Sequence, residues 1–304
     1  MTSFNPFSLP ILFLSILTFL SLTAHAADPV YLNTVCENTT FSANNSIYQS
    51  NLKSLLSSFS SNANLDFYAT NKGANTSDPV YGLSNCRGDV TPQHCRECVE
   101  AAVKELTNKC SREKVAVIWY DECVLRYSNR SFFSTVDETP RLVLLNTQNV
   151  TDQDKFNQLV NTSMISLLTD LAREISDVTG AKKFGTRQVN ISAFQKLYNL
   201  LQCTPDLSGA DCYSCLLDAI NLVPWCCGGK QGGRIVFPSC NIRYELYPFY
   251  RMVATAPLPS PGLQPPPPDS DSGPKGKLHQ HHISVDCFSF LIRLKVEIQL
   301  FFSF

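Results

Sequence analysis

The stretch CRGDVTPQHCREC, residues 86–98, returns as CTPDLSGADCYSC at residues 203–215. In both, eight residues part the first cysteine from the second and two part the second from the third. The agreement extends outward. Cys86, Cys95, Cys98, Cys110 and Cys123 recur as Cys203, Cys212, Cys215, Cys227 and Cys240, each 117 positions on. Phe67, Tyr81, Arg126, Tyr127 and Phe132 move by the same step onto Phe184, Tyr198, Arg243, Tyr244 and Phe249. Unrelated segments do not agree at four successive gaps. The chain therefore carries a duplicated unit of roughly a hundred residues, too long a period for a solenoid.

Each unit has the same order of patterns. An extended piece around Cys36 opens the first. Tyr48, Leu52, Leu55, Leu56 and Phe59 then fall on one stripe of a helix, and Val160, Met164, Leu167, Leu168 and Leu171 repeat the stripe. Strand-like runs follow at 66–70 and 80–86, matched by 183–187 and 194–201. A second helix is predicted from Thr91-Pro92, with Thr as cap and Pro in the first turn. Its counterpart is predicted over 209–222. Apolar hairpins close each unit, 115–120 with 123–127 and 234–237 with 240–247. The expectation is an α+β fold: two tandem domains, each an antiparallel sheet of about five strands packed with two helices.

The N-terminus reads as a secretory signal over residues 1–26. Leu9 to Leu20 is almost wholly apolar, and Ala24-His25-Ala26 supplies a small-residue cleavage site, although no Lys or Arg precedes the run. The run is short for a membrane span. Domains are expected at 28–135 and 142–253, joined by a link near 140–151 short enough for the two to pack. Residues 254–304 are expected to be a Pro-rich linker and a disordered tail, with Pro265 to Pro268 unbroken in sequence. Phe288 to Phe304 is apolar but interrupted by Arg293, Lys295 and Glu297, so membrane association is not expected from it. His279, His281 and His282 lack a scaffold for a metal.

Secretion decides how the thirteen cysteines are read. Oxidising compartments favour disulfides, which supplement the limited core of a small domain. Six fall in each repeat, and Cys287 stands alone in the tail. Cys95 and Cys98, like Cys212 and Cys215, have zinc-ligand spacing, but no second close pair accompanies the first. Sequons at Asn38, Asn44, Asn75, Asn129, Asn149, Asn161 and Asn190 suit a secreted glycoprotein. The net charge of −1 disfavours nucleic acid. His94 is the one histidine in the folded part, and no nucleophile–base pair can be picked out. The segment GGKQGG, residues 228–233, lacks Walker spacing and reads as a turn. No enzyme and no cofactor is expected.

The two cysteine signatures, with Gly232-Gly233-Arg234 and the run PSCNIRYELYPF at residues 238–249, resemble the plant ginkbilobin-2-homologous domain, also called DUF26 or stress-antifung. The resemblance covers about 28–253. It is nearest to ectodomains of cysteine-rich receptor-like kinases and to cysteine-rich repeat secretory proteins. It implies the disulfides Cys86–Cys95, Cys98–Cys123 and Cys36–Cys110, then Cys203–Cys212 and Cys215–Cys240. Repeat two has no match for Cys36, and Cys227 has gained a neighbour. A vicinal Cys226–Cys227 disulfide is one expectation; two free thiols or an intermolecular link are the alternatives.

The family's antifungal founder is a mannose-binding lectin. Its site uses an Asn near the first strand, an Arg six residues before the last cysteine and a Glu five after it. In repeat two these fall on Asn149, Arg234 and Glu245, and a glycan on the Asn149 sequon would block the pocket. In repeat one they fall on Glu37, Val117 and Ser128, which should not bind mannose that way. The plainer expectation is that Arg234 and Glu245 form a cross-strand pair. Trp119 and Trp225 are expected in the core. The resemblance implies a non-enzymatic recognition protein of the cell surface or wall space, active in stress or defence. Its partner would be a glycan, such as a mannose-containing one, or a protein such as a receptor-like kinase. A mannose-binding antifungal lectin and a membrane-tethered co-receptor are the alternatives. Such receptors enter the membrane where this tail begins, so a truncated or spliced product is expected.

Overall fold

The computed structural model describes residues 28–42, 46–174 and 181–251. The expected signal, the Asn44 sequon, the Pro-rich linker, the tail histidines and Cys287 lie outside them. In the first repeat β1 (Tyr31–Cys36), β2 (Phe67–Lys72), β3 (Val80–Cys86), β4 (Ala116–Tyr120) and β5 (Cys123–Ser128) form one antiparallel sheet in the order β1-β4-β5-β3-β2. In the second, β6 (Leu142–Leu145), β7 (Lys183–Asn190), β8 (Lys196–Cys203), β9 (Gly232–Val236) and β10 (Cys240–Glu245) take the same order, β6-β9-β10-β8-β7. Helices α1 (Ser46–Ser61) and α2 (Pro92–Lys109) cover one face of the first sheet; α3 (Gln153–Glu174) and α4 (Gly209–Cys226) cover one face of the second.

Local chemistry sets the helix starts. Thr91 caps α2, its hydroxyl accepting from His94 N at 3.3 Å, and Pro92 opens the first turn. Ser208 caps α4 by accepting from Asp211 N at 3.1 Å. The predicted stripes of α1 and α3 are buried throughout. They pack on the cysteine-bearing faces of α2 and α4 and on one side of each sheet.

The strand sequence AVIWY of β4 is buried at all five positions. Ala116, Ile118 and Tyr120 join the core under the helices, whereas Val117 and Trp119 point to the other side and meet Val236 of β9. A strand covered on both faces reads as an unbroken apolar run. The cover for the second face is the other repeat: the helix-free sides of the sheets pack together through Val117, Trp119, Val124, Val236 and Leu142.

The contact is close and polar at its edges. Gln202 donates to Cys86 O at 2.8 Å and accepts from Gly88 N at 3.2 Å. Ser239 Oγ accepts from Asp137 N at 2.9 Å, and Asp206 from Ser134 N at 2.9 Å. Gly88 lies against the Phe184 ring, where a Cβ would fall 2.2 Å from the nearest ring atom. The described residues of both repeats form a single compact unit.

Six disulfides staple it: Cys36–Cys110, Cys86–Cys95, Cys98–Cys123, Cys203–Cys212, Cys215–Cys240 and the vicinal Cys226–Cys227. The sheet register explains why Cys227 turns to its neighbour. Cys36 stands opposite Ala116, and Leu145 opposite Gly233, which is Ala116 moved by one repeat. Leu145 thus occupies the place of Cys36.

The structure departs from two expectations. Trp225 is 89% exposed, not in the core. The buried stripe of α4 runs Cys212, Cys215, Leu216, Ala219, Ile220, Val223, and residue 225 falls off it. The glycine segment is only partly a turn, because Gly232 and Gly233 belong to β9.

Candidate functional site

Alternation along the closing hairpins places two sets of side chains. Cys123, Leu125 and Tyr127 of β5 face the helices, and so do Ile242 and Tyr244 of β10. Arg126 and Arg243 therefore face the opposite side, as Arg234 of β9 does. At the open edge of that side each repeat carries a cavity in the same position. The one in repeat two, about 260 Å³, is lined by Leu144, Asn146, Arg234, Arg243, Glu245 and Tyr247. The one in repeat one, about 330 Å³, is lined at the six matching positions by Val35, Glu37, Val117, Arg126, Ser128 and Arg130.

In repeat two the charges neutralise one another. Asp121, from the β4–β5 turn of repeat one, accepts from Arg234 Nη1 at 2.5 Å and Arg243 Nη1 at 3.0 Å, and pairs with Arg87 at 3.0 Å. Arg87 is also held by Asp89 at 2.6 Å. Arg243 Nε donates to Glu245 Oε1 at 3.1 Å, and its Nη2 to the Tyr247 hydroxyl at 3.0 Å. The Glu245 carboxylate lies over Gly232, where a Cβ would fall 1.8 Å from Oε2. Only glycine leaves that space.

Burial alone would raise the Asp121 carboxyl, but Arg234, Arg87 and Arg243 outweigh it and hold the group below its ordinary range. Burial pulls the Arg234 guanidinium down to about 10 against the attraction of Asp121. Burial also raises the Glu245 carboxyl, with Arg243 opposing. The expected Arg234–Glu245 pair is thus replaced by two others. Arg234 stands across the strands from Arg243, and Glu245 from Gly232, so each acid and base takes a different partner.

Asn149 does not share this cavity. It accepts from Lys230 Nζ at 2.8 Å and lines a separate groove of about 690 Å³ between α3 and the β7–β8 hairpin. The residue beside Arg234 and Glu245 is Asn146. Its backbone N donates to Gly232 O at 2.9 Å, as Glu37 N donates to Val115 O at 3.0 Å, so Asn146 is the counterpart of Glu37. Counting residues missed it because the segment between β6 and the α3 stripe differs in length from the one between β1 and the α1 stripe. The strand register locates it. Asp121 carried no signal in the sequence. Arg243 carried one, its repetition of Arg126, without a role attached.

Of the sequon asparagines among the described residues, Asn38, Asn75, Asn149, Asn161 and Asn190 are exposed, and Asn129 is half-buried at the rim of the repeat-one cavity. His94 is hydrogen-bonded to Thr91 Oγ1 at 2.6 Å, and Arg251 Nη2 lies 3.1 Å from its ring. No three metal-ligating side chains come together among the described residues. No helix among them is long and apolar enough to cross a membrane.

This geometry defines a tandem pair of disulfide-stapled α+β domains packed sheet to sheet, with a cavity bearing charged side chains at the edge of each. The family model for salt stress response/antifungal (Stress-antifung) domains matches residues 35–130 and 145–247, and the chain belongs to that family. Cysteine-rich receptor-like protein kinase 25 of Arabidopsis thaliana is 44% identical over 273 residues, 86% of this chain and 39% of the kinase. The chain thus spans about two fifths of that relative. Cysteine-rich repeat secretory protein 38 of the same plant is 41% identical over 68% of this chain and 80% of its own length. The antimicrobial ginkbilobin-2-like protein of Castanea crenata is 41% identical over 76% of this chain and 93% of its own length. The tandem DUF26 ectodomain of the Arabidopsis thaliana protein PDLP5 superposes with a TM-score of 0.57 at 29% identity, covering 72% of this chain and all of that one. The corresponding PDLP8 ectodomain gives 0.59 at 22% identity.

Proposed function

We propose that the chain is an extracellular recognition protein of the receptor-ectodomain type, which binds a ligand or a partner receptor at the plant cell surface in stress or defence and catalyses nothing. The observation that carries this reading is the similarity to a receptor-like kinase over 86% of the chain, combined with two repeats packed as one unit. Six disulfides, exposed sequons and the cleavable signal read from the sequence support a secreted route. The solved relatives described as ectodomains agree with an extracellular site of action.

A second reading, a mannose-binding lectin, has one specific support. Asn146, Arg234 and Glu245, the residue types of the founder's site, line one cavity of about 260 Å³. Against it, Arg234 is engaged by Asp121 and Glu245 by Arg243. The two readings separate on a mannan surface. The receptor-type reading expects no binding there and saturable binding to a receptor ectodomain. Mannan binding that Asn146→Ala abolishes would establish the lectin instead.

A further inference from the structure

The duplicated chain offers an internal comparison at one arginine. Arg243 has all three guanidinium nitrogens engaged, Nε by Glu245, Nη1 by Asp121 and Nη2 by Tyr247. Phe249 covers its face with the ring centroid 4.2 Å away. Arg126 is the same residue in repeat one. Phe132 covers its face at 3.9 Å, and Nη1 donates to Asp137 at 3.1 Å. Its Nε and Nη2, however, are buried without a hydrogen-bond partner among the described residues, and the residue as a whole is 4% exposed.

The sequence explains the difference. The positions of Glu245 and Tyr247 are held in repeat one by Ser128 and Arg130, which give Arg126 neither a carboxylate nor a phenol. Unpartnered buried N–H groups are costly. Nε and Nη2 form one edge of the guanidinium, the fork that matches the two oxygens of a carboxylate. Arg126, Ser128 and Arg130 all line the cavity of about 330 Å³, which the linker residues Asp137, Thr139 and Pro140 and Pro238 of repeat two complete.

We propose that this cavity is a carboxylate-binding site, in which a ligand's carboxylate supplies to Arg126 what Glu245 supplies to Arg243. Arg130 adds a second cation at the mouth. Glu37 and Asp137 line the same cavity and oppose a densely charged anion, so the ligand carries a single carboxylate. Thr39, Ser128 and Thr139 offer hydroxyls to its polar remainder. A sugar acid and the free end of a peptide share this chemistry. The cavity holds the repeat-one counterparts of the founder's sugar-site positions, Glu37, Val117 and Ser128, which lack its residue types; the lectin reading concerns repeat two.

The test uses the full secreted chain carrying Asn129→Gln, which removes the sequon at the rim. Glucuronate, glucose and an N-acetylated glycine dipeptide are titrated by calorimetry. Saturable binding of glucuronate or of the dipeptide is expected, and the stronger of the two identifies the source; glucose should not bind. Val115→Gly with Ser128→Glu transplants the arrangement of Gly232 and Glu245 and fills the site from within. It should lower affinity at least tenfold while keeping all six disulfides and the wild-type Tm. Arg130→Gln, at the exposed mouth, should weaken binding severalfold with Tm unchanged, and serves if the double variant does not fold. Failure of both acids to bind, glucose binding as well as glucuronate, or a folded double variant with unchanged affinity would each overturn the proposal.

Discussion

Arg234 and Glu245 have the residue types of a sugar site, yet each is answered from within the protein. Asp121 is the residue that decides this, because it holds three arginines drawn from both repeats. Removing one member of a buried charged group leaves its partners uncompensated, so Asp121→Asn should cost about 3 kcal/mol. The loss should depend on pH. The Asp121 carboxyl in the folded chain lies below its usual 3.8. The stabilisation it contributes is therefore present above that value and lost as pH falls through the lower folded value. Thermal melts of wild type and Asp121→Asn should differ most near neutrality and converge in strong acid. A constant gap across that range would contradict the assignment. None of this was legible beforehand, since Asp121 lies 113 and 122 residues from its two partners in repeat two.

Elements were far more legible than sites. The stripes of α1 and α3, the Thr91 cap and the paired hairpins follow from periodicity and capping chemistry, which act within a few residues. Trp225 shows where such reading fails. Apolar neighbours in sequence suggested burial, but the helical period of α4 turns residue 225 outward. Trp119 and Trp225 thus make a matched pair. Trp119→Ala empties the layer between the sheets and should cost about 3–5 kcal/mol. Trp225→Ala removes an exposed ring and should stay within about 0.5 kcal/mol of wild type. Denaturant melts monitored by circular dichroism would show the two values, and equal losses would refute the placement of α4. Register matters in the same way at β6. It puts Leu145 in place of Cys36 and Asn146 in place of Glu37, which a count of residues across an unequal loop did not find.

For the whole molecule, duplication explains both the regularity and its exceptions. The repeats share order, register, the Arg–Phe stack and the Tyr127 and Tyr244 hydroxyls on matching carbonyls. They differ where they meet and at the two cavities. A short linker announced that they would pack, but not that they would pack by their helix-free faces. That outcome depends on Val117, Trp119 and Val236, which read simply as strand residues until both sheets are present. Arg126 and Arg243 began as copies and now stand in different company, one completed by its own chain and the other left with an open edge.

Recognition of a partner at the cell surface, without catalysis, is the function we propose. The most direct test is biolayer interferometry of the secreted chain, disulfides intact, against immobilised ectodomains of cysteine-rich receptor-like kinases and against mannan. Saturable binding to an ectodomain with a flat mannan response is the predicted result. A flat response to every ectodomain, together with mannan binding lost in Asn146→Ala, would contradict it.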